Sequence, residues 1–232
     1  MAVPLVIVIF LAIGLHEYAH CKFADMAGDP TPGIYGRVTL DLTKHFELFG
    51  TLMMLLTAAT GFGIGWGKPA PMNPSKMRNP RWDFFAAVAA GPISNVLQAV
   101  FWALLGRVLL VGGIIQADAL LMFADGLGGE PFRGDAIIAG LIFYGVFVNL
   151  SLAIFNLIPL GPLDGHWLVG LLMPERTRDK WFWLNKRYGW YLLLAIVLIG
   201  QVFPQYSLLA MIRRPIMNLG IDLFLQPFFP KP

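Results

Sequence analysis

Charge is scarce in this chain. Asp, Glu, Lys and Arg make up only 13% of its 232 residues, about half the roughly 25% usual in a soluble domain. With 57% hydrophobic residues, that scarcity excludes a fully solvated globule and points to lipid as the solvent. Cysteine is nearly absent as well. Cys21 stands alone, so neither an intrachain disulfide nor a thiolate metal site is available. Internal repeats, low-complexity tracts and a separable soluble domain are all missing, which argues against the repeated halves of a transporter. The apolar N-terminus has no basic stretch before it and no small-residue cleavage pattern before His16, so it reads as a spanning helix rather than a secretory signal. The basic balance, with a pI near 9.1, is accounted for by loops meeting anionic membrane lipids, and nucleic acid is not implied.

What is present is a set of long uncharged runs. Residues 84–106, 136–163 and 189–212 contain no charged residue, and each exceeds the roughly 20 residues a helix needs to cross the hydrocarbon core. The first run, 2–15, reaches that length only by including a charged turn. Another apolar stretch, 48–66, ends in Gly61-Phe62-Gly63-Ile64-Gly65-Trp66-Gly67. Alternating glycines weaken a helix, and Pro69, Pro71 and Pro74 follow. The expectation is an all-α polytopic membrane protein, forming one domain over 1–232. It would have four spanning helices, at 1–20, 84–110, 135–163 and 188–212, and a glycine-rich re-entrant or β-like segment at about 31–67. Such a segment is tolerated at membrane depth only where protein or a water-filled cavity covers it.

Inside the first run stands His16-Glu17-Tyr18-Ala19-His20, the H-E-x-x-H pattern of metal-dependent hydrolases. Four residues make one helical turn plus about 40°, so both imidazoles share a face and can grip one ion, with Glu17 beside them as general base. Ionisable groups at this depth are expensive, which makes them functional candidates. A late segment, Asn156-Leu157-Ile158-Pro159-Leu160-Gly161-Pro162-Leu163-Asp164-Gly165, offers a third ligand. Zinc held by two histidines takes a carboxylate well and keeps a position open. Asp164 fits that need. Pro-Leu-Asp-Gly is also ordinary turn chemistry.

Taken together, these clusters resemble the site-2 protease family of intramembrane zinc metalloproteases, which pairs H-E-x-x-H with a later N-x-x-P-x-x-x-L-D-G motif. Asn156, Pro159, Leu163, Asp164 and Gly165 match that motif position for position. Ala90-Gly91-Pro92-Ile93-Ser94-Asn95 is similar to the family's G-P-x-x-N element, and 36–69 is similar to short prokaryotic members without a PDZ or CBS domain. The resemblance implies one zinc ion on His16, His20 and Asp164, with transmembrane proteins or peptides as substrates. Glu17 would move the proton, and Asn156 is the candidate for stabilising the developing oxyanion. Asn95, His45 and His166 are possible accessory residues. Asn95 is read as ordering a helix start and His45 as an interfacial histidine, while His166 departs from the commoner Gly-Arg or Gly-Ser. Gly63 and Gly65 are suggested as an edge holding an unwound substrate.

For His16, His20 and Asp164 to meet, the first and third long helices must run parallel. One crossing then lies between them. If 48–66 does not cross, one side of the membrane receives Lys22, Arg37, Lys44, Lys68, Lys76, Arg78, Arg81 and the basic residues of 176–187, and the other receives Arg107 and Arg133. The positive-inside rule then puts the N-terminus outside and the metal site toward the cytoplasmic face of the cell membrane. The functional expectation is a zinc-dependent endopeptidase cleaving transmembrane segments. The alternatives are a catalytically inactive metal-binding homologue or a small transporter.

Overall fold

The structure, a computed structural model, describes residues 2–60, 66–124 and 134–203, with isolated positions at 211, 215 and 218. Its elements are α1 (Ala2–Met26), α2 (Thr31–Ile34), α3 (Leu48–Thr60), α4 (Trp82–Val111), α5 (Ala117–Ala124), α6 (Gly134–Asn156), α7 (Asp164–Leu172), α8 (Glu175–Leu184) and α9 (Trp190–Val202). Among the described residues there is no strand. Among the described residues three helices are long and apolar enough to cross a membrane: Val3–Met26, Trp82–Val111 and Ala136–Asn156.

Local chemistry sets the helix limits, and these differ from the expected ones in instructive ways. α1 runs on past His20 to Met26 because nothing in Cys21 to Met26 breaks it. It stops where Gly28 takes φ +100. Asp29 N then donates to Ala24 O (3.0 Å) and Gly28 N to Asp25 O (3.0 Å), which satisfies the last carbonyls. α6 ends at Asn156 rather than continuing to Leu163. Pro159 has no N–H to give and disfavours helical backbone at Ile158, so the Leu-Asp-Gly motif sits beyond a turn and opens the separate helix α7. The stretch read as re-entrant or β-like is helical at Leu48–Thr60. Thirteen residues span only about 20 Å at 1.5 Å per residue, short of the roughly 30 Å hydrocarbon core. Gly61 to Gly65, and with them Gly63 and Gly65, lie outside the described residues. α9 begins at Trp190 behind a π-helical turn, Asn185–Gly189, and is described as far as Val202.

The bundle core is α1, α4 and α6. α4 runs opposite to α1, since Ala87 lies level with His20 and Asn95 level with His16 and Ala12. α6 runs parallel to α1. Gly140 lies beside Pro4, Val148 packs on Val8 and Ala12, and Asn156 shares a cavity with His16 and Glu17. A second layer of Ala24, Phe84, Ala87, Val88, Leu168 and Leu171 seats α7 against the ends of α1 and α4. That packing carries Asp164 to the histidines.

Candidate metal centre

His16 and His20 lie on the face of α1 turned toward α4, and both are buried. Their outer nitrogens are already engaged. His16 Nδ1 lies 2.7 Å from Asn95 Oδ1, and His20 Nδ1 lies 2.8 Å from the carbonyl oxygen of Ala87. Both partners only accept, so each Nδ1 must be the N–H donor and each Nε2 keeps its lone pair. The Nε2 atoms are 3.0 Å apart. Asp164 Oδ2 lies 3.3 Å from His16 Nε2 and 3.4 Å from His20 Nε2, and it is buried without a hydrogen-bond partner.

Three lone-pair atoms from two distant stretches of chain therefore converge with no donor between them. Such a cluster is repulsive unless a cation joins it. The donor set of two imidazoles and a carboxylate is the one zinc accepts while leaving a position open. His16, His20 and Asp164 form the group among the described residues that fits a metal ion. The outer contacts to Asn95 and Ala87 are the kind that orient metal-ligating histidines.

Two glycines make the convergence possible. A Cβ on Gly91 would overlap the His20 ring and lie 2.7 Å from His16 Cε1, so the imidazoles rest directly on the α4 backbone. A Cβ on Gly165 would overlap the Leu157 carbonyl, so only glycine lets α7 start this close to the end of α6. Gly91→Ala should push the rings apart and weaken zinc binding by about 10- to 100-fold, the range for disturbed outer-shell support. Chelator competition measures this, and an unchanged affinity would contradict the packing argument.

The cluster opens into a cavity of ≈ 480 Å³. Glu17, Asn156 and the three candidate ligands supply its polar lining, and Trp66, Trp167, Trp190 and Leu193 are among its apolar walls. Glu17 Oε2 is buried and has no hydrogen-bond partner. Asn156 faces the cavity from the last turn of α6, with Nδ2 donating to Leu152 O at 3.0 Å. The stretch after Trp66 forms one wall, and Gly67 lies against Ile13 and Glu17.

Asn95 is fully buried in the middle of α4, where it grips His16 rather than starting a helix. His45 is buried away from the cluster. Its Nε2 lies 3.0 Å from Thr39 O and its Nδ1 3.4 Å from Arg37 Nε. Burial, with the Arg37 cation, pushes this imidazole below its ordinary pKa, and the neutral ring helps Arg37 hold the carbonyls of Lys68 (2.6 Å) and Pro69 (3.4 Å). His45 thus braces the cavity wall. His166 turns its Nδ1 to Leu163 O at 2.5 Å and packs between Trp167 and Phe182, outside the metal group. Residues that the sequence did not single out also support the site. Asn149 bonds Asn95, and Asn185 Oδ1 accepts from Gly161 N at 2.9 Å in the turn before Asp164. Single asparagines, one in the apolar run of α6 and one beside Lys186, carry no spacing signal.

Residues 4–200 match the family described as Peptidase family M50. The chain belongs to that family. It is 32% identical over 227 residues to "Putative zinc metalloprotease YwhC" of Bacillus subtilis (strain 168), an alignment covering 97% of this chain and 90% of the relative. No solved structure matches it. As a member of family M50 the chain is a metalloendopeptidase of the membrane, the class that the resemblance to site-2 proteases implied.

Proposed function

We propose that this M50 peptidase cleaves transmembrane segments of proteins, with one zinc ion held by His16, His20 and Asp164. When bound, zinc supplies Lewis-acid polarisation and a water whose pKa is lowered toward neutrality. Glu17 takes the proton from the attacking water as the new C–O bond forms. It then delivers that proton to the leaving nitrogen as the C–N bond breaks. Its unpartnered Oε2 in an apolar cavity supports this role, because no competing donor neutralises the base. Asn156 spends one amide hydrogen on Leu152 O and keeps a second for negative charge developing on the substrate carbonyl oxygen.

A transmembrane substrate presents no free backbone while helical, so it must unwind in the cavity. Gly63 and Gly65 are proposed as part of the edge that holds the unwound strand. Apolar walls of Trp66, Trp167, Trp190 and Leu193 suit an uncharged segment. The loop basic residues support an external N-terminus and a site toward the cytoplasmic face. The single observation that carries the reading is the convergence of three lone-pair atoms beside an unpaired glutamate. In the direct test, purified zinc-loaded protein in detergent cleaves a transmembrane peptide, a chelator stops it and zinc restores it. Cleavage that survives complete zinc removal would overturn the reading.

A further inference from the structure

We propose that Asn149 is a positioning residue of the metal centre, setting through Asn95 which nitrogen of His16 carries the proton. The proposal rests on reading His16 as a zinc ligand. Asn149 is fully buried in α6, where an unsatisfied amide is costly. Its Nδ2 donates to Gly145 O at 2.8 Å. A backbone carbonyl can only accept, so the amide's other end, Oδ1, is the end turned to α4. There it accepts from Asn95 Nδ2 at 2.9 Å. Asn95 Nδ2 also donates to Ala12 O at 3.2 Å.

Both groups facing that Nδ2 are acceptors, so Asn95 must present its own oxygen to His16 Nδ1, 2.7 Å away. His16 is then protonated on Nδ1 and holds its lone pair on Nε2, toward Asp164. The direction of the whole chain is anchored at backbone carbonyls on α6 and α1. Remove Asn149, and Asn95 is oriented by the single longer bond to Ala12 O. The flipped amide, which would turn a donor toward Nδ1 and put the His16 proton on Nε2, then becomes accessible. An imidazole protonated on Nε2 cannot ligate from that atom.

The test uses the full-length zinc-loaded chain in detergent, with zinc affinity read by chelator competition and ligand geometry by the visible spectrum of the cobalt-substituted protein. Asn149→Leu keeps the number and branching of the side-chain heavy atoms and removes both hydrogen bonds. It should weaken zinc about tenfold and alter the cobalt spectrum. Asn149→Asp should restore both readouts, because a carboxyl has the same shape and keeps an oxygen to accept from Asn95 Nδ2, the contact that orients Asn95. If the leucine variant does not fold, Asn149→Ala replaces it with the same expectation. Wild-type affinity and spectrum in the folded leucine or alanine variant overturn the proposal, as does an aspartate variant no better than leucine. His16→Ala separates the two layers. Zinc retained there sinks the ligand reading and this proposal together, whereas zinc lost there beside wild-type behaviour in Asn149→Leu sinks this proposal alone.

Discussion

Glu17→Gln is expected to lower the rate of transmembrane-peptide cleavage by about 10²- to 10⁴-fold, the usual worth of a general base, while leaving zinc content unchanged. Glutamine preserves the volume that Gly67 packs against, so the cavity keeps its shape. What disappears is the ability to accept a proton. In the native protein Oε2 is buried and unpartnered, and among the described residues no other carboxylate lines the cavity except Asp164. Asp164 is proposed as a zinc ligand, so it cannot substitute. Single-turnover cleavage and zinc analysis on the same sample measure the two quantities together. A glutamine variant that cleaves at the native rate would assign the proton transfer elsewhere.

Asp164→Ala carries the second large effect, a fall in zinc affinity exceeding the roughly 10- to 100-fold seen when only an outer-shell partner is removed. The carboxylate is the sole contribution of the second chain segment to the candidate metal group, and alanine leaves two imidazoles on one helix face. The turn that aims it is held independently, since Gly161 N donates to Asn185 Oδ1 and Leu168 and Leu171 pack against α1 and α4. The variant should therefore stay folded while losing metal and activity together. Native zinc affinity in folded Asp164→Ala would remove the carboxylate from the site.

Much of this candidate centre is legible in the sequence, for physical reasons that differ from residue to residue. His16, Glu17 and His20 need only a helix to be neighbours, and the uncharged run around them supplies it. Asp164 is readable through its motif and through the argument that the first and third long helices run parallel, which the contacts of α6 with α1 bear out. Asn95 is visible as part of a motif, but its grip on His16 depends on the antiparallel register of α4. That register is a tertiary fact. Asn149 and Asn185 are invisible for the same reason, since each acts across helices on a partner far away in sequence. His45 and His166 have plausible metal chemistry by composition, and only their actual neighbours, Arg37 and Thr39 for one and Leu163 for the other, assign them to support. Helix limits were obscured where apolar character outlasts the helix. The run to Leu163 is uncharged, yet Pro159 ends α6 at Asn156.

The most direct test of the account is the zinc-edge X-ray absorption spectrum of the full-length zinc-loaded protein, recorded beside Asp164→Ala. The expected spectrum shows two imidazole nitrogens and a carboxylate oxygen from the chain, with the carboxylate contribution missing from the variant. Identical spectra for the two proteins, or a native ligand set without histidine, would contradict it.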